Sequence, residues 1–80
     1  MSRPDYTPRE REILLHLAAG LLQKNIGAYL GITTETVHHH MTNIRNRAGG
    51  LTNEAIIADA VRHGVILGGE IQETRDRVLS

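Results

Sequence analysis

Glycine cuts this sequence into helical blocks. Gly20, Gly31, the Gly49-Gly50 pair and Gly64 each follow a stretch whose apolar residues recur at steps of three and four, the spacing that lines one face of an α-helix. The first block opens with Thr7-Pro8-Arg9-Glu10, where Thr can cap, Pro suits the first helical position and Glu completes a capping box. With Ile13, Leu14, Leu17 and Ala18 as its stripe, this block predicts a helix over 8–19. Leu22, Ile26, Tyr29 and Leu30 predict a second over 22–30, with Gly31 in the turn. Thr33 or Thr34 can cap a third, over 34–48, in which Val37, Met41, Ile44 and Ala48 face one way. Thr52 begins a fourth over 53–63, with Ile56, Ile57, Ala60 and Val61 inward. No stretch alternates as a strand would. The expected fold is all-α, a compact domain of four helices over 6–67, with residues 1–5 as an N-terminal arm. The polar tail 68–80, apolar only at Ile71, Val78 and Leu79, reads equally as a short helix or as disorder.

Eighty residues fit one small domain, with no room within them for a sensor or catalytic domain, and the start at Met1 favours the expectation of a stand-alone chain over a fragment. Its core must come from Ile, Leu, Val, Ala and two Tyr, because Phe and Trp are absent. A core of that size yields roughly 3–5 kcal/mol of net stability, so self-association would be a natural supplement. Without cysteine there is neither a disulfide framework nor a Cys-based zinc site, and the expected location is cytoplasmic. The start Met1-Ser2-Arg3-Pro4-Asp5 has no signal-peptide core, and no apolar run approaches the roughly 20 residues of a membrane span.

Formal net charge is zero, which argues at first against a nucleic-acid partner, since phosphates are met mainly by Lys and Arg. Distribution alters that reading. Residues 21–50 carry Lys24, Arg45 and Arg47 against Glu35 alone, whereas the last thirty carry Arg62, Arg75 and Arg77 against Glu54, Asp59, Glu70, Glu73 and Asp76. The middle of the chain is its basic part.

The second and third helices, joined through Gly31, form a helix-turn-helix in which small Gly27 permits close approach and Ile26, Leu30, Ile32 and Val37 fill the wedge. At about 100° per residue, His39, Thr42, Asn43 and Asn46 point away from the Val37 stripe, flanked by Thr36, His38 and Arg45. Imidazole, hydroxyl and amide groups on an exposed helix suit base edges in the major groove, with Thr34 and Thr36 in the first turn; Lys24 and Arg45 are better placed for phosphates.

Several blocks in order carry a resemblance: Tyr6-Thr7-Pro8-Arg9-Glu10-Arg11-Glu12-Ile13-Leu14, Ala19-Gly20-Leu21, Lys24-Asn25-Ile26-Gly27, Leu30-Gly31-Ile32, Thr36-Val37-His38-His39-His40 and Asn43-Ile44-Arg45. Over 6–67 the chain resembles the LuxR/GerE-type helix-turn-helix, more closely than the fourth region of sigma factors, whose motif lacks a histidine at the place of His40. The resemblance implies a four-helical domain that reads the major groove with its third helix and dimerises through its fourth. It places His38, His39 and Thr42 at DNA-reading positions and Lys24 at a backbone contact. A two-fold contact would then use Ala55, Asp59 and Arg62. The chain departs from the family where Lys or Arg usually stands in place of His38 and Thr42, where Leu22 replaces a capping Ser or Thr, and where Ala48-Gly49-Gly50 replaces a larger apolar residue.

The expectation is a stand-alone, sequence-specific DNA-binding transcription regulator whose partners are double-stranded DNA and a second copy of itself. Its rival is a protein-interaction module that binds a transcription regulator or polymerase subunit through the fourth helix and acidic tail, a reading favoured by the zero net charge. No nucleophile is paired with a base and no glycine loop would cradle phosphate, so neither enzyme activity nor a cofactor is expected. His38, His39 and His40 point about 100° apart on one helix and cannot converge on a metal ion. His40 falls at the edge of the core; His16 and His63 read as half-exposed helix residues, the 9–12 charge run as a solvated helix start, and Tyr6 and Tyr29 as packing.

Overall fold

In the computed structural model, which describes residues 5–79, the chain forms five helices: α1 (Pro8–Ala18), α2 (Gln23–Leu30), α3 (Thr34–Arg47), α4 (Asn53–Arg62) and α5 (Gly68–Leu79). The first four lie within one residue of the expected bounds, and no strand occurs among the described residues. Of the expected N-terminal arm, all but Asp5 lies outside the described residues.

Local chemistry accounts for the helix starts. The Thr7 hydroxyl accepts from the Glu10 N–H at 3.1 Å while the Glu10 carboxylate accepts from the Thr7 N–H at 3.0 Å, closing the capping box. Thr33, rather than Thr34, caps α3 by accepting from the Thr36 N–H at 3.0 Å, and Thr52 caps α4 through the Ala55 N–H at 3.2 Å. Leu22 stands at the N-cap of α2, where its side chain makes no capping bond. It is 63% exposed, so it does not belong to the apolar set assigned to that helix; Tyr29 and Val61 are likewise more exposed than their stripes implied.

Ile13, Leu14, Ile26, Val37, Met41, Ile44, Ile56 and Ile66 are fully buried and form the centre of the core. Fully burying an aliphatic side chain is worth about 1.5–3 kcal/mol, so these eight set the fold. Gly31 ends α2 at φ 75°, a left-handed conformation that a side chain would strain, and turns the chain directly into Ile32 and α3.

Beyond Leu67 a fifth helix follows the expected four. The tail is helical: α5 lies against α1, Ile71 packs on the core and Thr74 is buried. Arg11 holds this arrangement from α1, its Nε donating to the Val65 carbonyl at 3.0 Å and its guanidinium pairing with Glu70. Glu70 also accepts from the Leu67 N–H at 3.0 Å at the start of α5, and Arg75 donates to the Ala19 carbonyl at 3.4 Å. Because α1 touches α2, α3 and α5, far more of its circumference is covered than one stripe requires. Glu10, Leu15 and His16 are therefore buried as well. His16 is no half-exposed residue: its Nδ1 donates to the Glu12 carbonyl at 2.7 Å and its ring lies 5.4 Å from that of Tyr29. No helix among the described residues is long and apolar enough to cross a membrane.

Candidate nucleic-acid interface

The site begins with the way α3 is seated on α2. A Cβ on Gly27 would lie 2.8 Å from the Ile32 carbonyl oxygen and 3.2 Å from backbone atoms of Thr33 and Thr34, so only glycine lets the turn close over α2. Val37, Met41 and Ile44 then drop into the core, with Ala48 partly buried behind them. Helical periodicity does the rest. Thr34, His38, His39, Asn43 and Asn46 are exposed along the opposite face, with Thr36, Thr42 and Arg45 half-buried at its margins.

Several of these groups are already oriented. The Thr36 hydroxyl lies 2.8 Å from that of Thr33, and Thr42 donates its hydroxyl proton to the His38 carbonyl at 3.0 Å, which leaves its oxygen as an acceptor for a ligand. His38 reaches across to α2, Nδ1 donating to the Gln23 side-chain carbonyl at 3.4 Å, so its Nε2 is the ring atom free to face outward. Gln23 was not singled out by sequence reasoning, since nothing local marks a residue fifteen positions away as the support for a histidine. Thr33, Glu35, Thr36, His38, His39 and Thr42 together line a shallow concavity on this face.

The cations are distributed less simply. Lys24 is exposed on α2 and makes no ion pair or side-chain hydrogen bond among the described residues. Arg45 donates to the Asn53 side-chain carbonyl at 2.6 Å, tying the last turn of α3 to the first residue of α4. Arg47 is drawn back to α1, where it pairs with Glu10 at 2.5 Å, donates to the Asp5 carbonyl at 3.2 Å and lies 5.8 Å from the centre of the Tyr6 ring. Glu10 is therefore not part of a solvated helix start. Burial would raise its pKa, but the hydrogen bonds from Arg47 and the Thr7 N–H and the charges of Arg47 and His40 outweigh that, and the carboxyl is held below its ordinary value of 4.5. Tyr6 is pushed above its ordinary value by burial and by the nearby Asp59 carboxylate.

Leu51, just before α4, and Ala55, Ala58, Asp59 and Arg62 on it line a second shallow groove. Arg62 is exposed and pairs with Asp59 at 2.6 Å, while Ala55 and Asp59 are half-buried. His63 lies 3.4 Å from the same Asp59 carboxylate. No group of three or more His, Cys, Asp or Glu side chains is placed to hold a metal ion among the described residues.

Residues 5–53, which hold α1, the whole α2–turn–α3 unit and the cap of α4, match the family described as bacterial regulatory proteins, luxR family. The chain belongs to the luxR family. Its similarity extends to named regulators. It is 40% identical over 60 residues to the transcriptional regulatory protein MctR of Rhizobium johnstonii, a match covering 75% of this chain and 28% of that protein. It is 38% identical over 52 residues to the transcriptional regulatory protein UhpA of Escherichia coli, covering 65% and 26% of the two chains. The transcriptional activator protein AhyR of Aeromonas hydrophila is 33% identical over 61 residues, covering 76% and 24%. This luxR-family chain thus spans about a quarter of the length of the curated relatives it matches. No solved structure matches it.

Proposed function

We propose that this luxR-family chain is a sequence-specific, DNA-binding transcription regulator that lays α3 in the major groove. The observation that carries the reading is the division of α3 into a fully buried stripe and an exposed face of hydroxyl, imidazole and amide groups, on a helix held hard against α2. Thr34, Thr36, His38, His39, Thr42, Asn43 and Asn46 would meet bases, and Lys24 and Arg45 phosphates. Arg45 would have to share its guanidinium with Asn53, so Lys24 is the better phosphate contact of the two. Two copies would join along α4 through Ala55, Asp59 and Arg62, reading half-sites about one helical turn apart. The relatives named as transcriptional regulators and activators support this reading, and the rival, a module for a transcription-machinery protein, has no structural observation of its own.

Fluorescence anisotropy with mixed genomic duplex at two salt concentrations tests it. Binding that weakens steeply with salt and is lost in the His39→Ala/Thr42→Ala double variant is the expected result. Absence of binding at low salt would overturn the DNA reading and leave the protein-interaction module. Equilibrium sedimentation on and off DNA tests the two-fold contact, which a monomer in both states would refute.

A further inference from the structure

On the outward face of α3 one carboxylate stands among hydroxyls and imidazoles. Glu35 is the second residue of the helix, exposed, and its carboxylate has no ion-pair or hydrogen-bond partner among the described residues. It lines the same concavity as Thr33, Thr36, His38, His39 and Thr42. A negative charge at the start of a helix is favourable for the helix itself. It is unfavourable on a surface brought against a polyanion, unless the carboxylate is aimed at a donor. In the major groove the cytosine N4 amino group is a pure donor, and carboxylates accept from it. The first turn of a reading helix is also the part that reaches deepest toward base edges. Of the groups lining the concavity Glu35 is the one carboxylate and its oxygens carry no other bond among the described residues, whereas the Thr36 hydroxyl is shared with Thr33, the half-buried Thr42 oxygen is a neutral acceptor and His38 is anchored to Gln23.

We infer that Glu35 is a specificity-determining residue that accepts a hydrogen bond from the N4 amino group of one cytosine in each half-site. The inference rests on the DNA reading above and adds to it a named base. A carboxylate in this place trades general affinity for selectivity, because it repels every duplex and rewards only one that offers the amino group. Removing it should therefore move specific and non-specific binding in opposite directions.

Selection from a randomised duplex library, followed by sequencing, is run with the wild-type chain, Glu35→Gln and Glu35→Ala; anisotropy then measures each protein on the selected duplex, on the same duplex with that one C·G pair changed to T·A, and on mixed duplex. Wild type should enrich a cytosine column and lose about tenfold in affinity when that pair is changed, within the range a good base contact provides. Glu35→Ala should lose the column and bind mixed duplex more tightly than wild type. Glu35→Gln should move the column toward adenine, which an amide recognises through N6 and N7. Glu35 is exposed and in the first turn of its helix, and matching thermal unfolding curves show that both variants remain folded. A column unchanged in both variants, or a wild-type motif without a cytosine, overturns this inference while the DNA reading stands. A wild-type chain that binds no duplex overturns both.

Discussion

Two kinds of seam hold these helices together. Between α2 and α3 the fit is steric: Gly27 lies against the backbone of Ile32, Thr33 and Thr34 with no space for a methyl group. At the start of α1, outside the core contacts of Ile13 and Leu14, the fit is polar, and adjacent residues point in different directions, Glu10 to Arg47 at the end of α3 and Arg11 to Glu70 at the start of α5. The Glu10 side chain is 6% exposed, whereas Arg11 and Glu70 are 38% and 33% exposed. The seam that positions the reading helix is thus made rigid by backbone contact. The seam that holds α5 is a solvated ion pair laid over a small apolar patch. Charge in water is a weak fastener and excluded volume is a strong one, so the order of their energetic weight follows from exposure.

The steric seam should give the largest effect. Gly27→Ala places a Cβ at 2.8 Å from a carbonyl oxygen that belongs to the turn and cannot rotate away. Overpacking against backbone costs about 2–3 kcal/mol, a large share of what a domain of this size holds. The expected outcome by circular dichroism is a thermal midpoint lowered by more than about 10 °C. An unchanged midpoint would mean that α2 and α3 separate easily, and the contrast between the seams would fail.

Glu10→Gln comes next. It keeps the shape of the capping box but removes the carboxylate from Arg47, at an expected cost of about 1–2 kcal/mol at pH 7 for a buried charge-assisted hydrogen bond. The pH dependence has a definite sign. Glu10 is held below 4.5, its ordinary value, so the stability it contributes is fully present above about pH 4.5 and is lost as pH falls through the depressed folded-state pKa. Urea unfolding of wild type and variant should therefore differ at pH 7 and converge near pH 3. A difference that persists at pH 3 would assign the effect to packing rather than to the charge.

How much of this was legible in the sequence depends on the distance over which each feature is encoded. The Thr7 capping box, the Gly31 turn and the Val37–Met41–Ile44 stripe are written within a few residues, and the outward face of α3 follows from them by periodicity alone. The two sides of α1 are not. A capped, charged helix start has the same sequence whether Glu10 faces water or an arginine 37 positions away. His16 reads as half-exposed until α2, α3 and α5 are known to surround its helix. The same limit applied to the site: the sequence counted Arg45 and Arg47 as basic charge, but only the fold shows that Asn53 and Glu10 hold them. The tail was ambiguous for a related reason. Ile71 and Thr74 are too few to mark a face, and α5 is a helix because α1 offers a surface to receive it.

The smallest effect should come from Glu70→Gln. The hydrogen bond from Arg11, reinforced by the Leu67 N–H and the Arg11 charge, holds the Glu70 carboxyl below its ordinary value of 4.5, so its contribution too is present above that pH and fades as pH falls through the lowered folded-state pKa. Both partners are about one-third exposed, however, and water and salt screen most of the attraction. Glutamine retains an acceptor for the Leu67 N–H, so only the charge is removed. The expected loss is below about 0.5 kcal/mol at low salt, shrinking toward nothing at about 1 M salt as the Debye length falls to roughly 3 Å. Urea unfolding at both salt concentrations measures it. Were Glu70→Gln to cost as much as Glu10→Gln and to ignore salt, exposure would not rank these contacts; α5 would then be as firmly built into the domain as the reading helix itself.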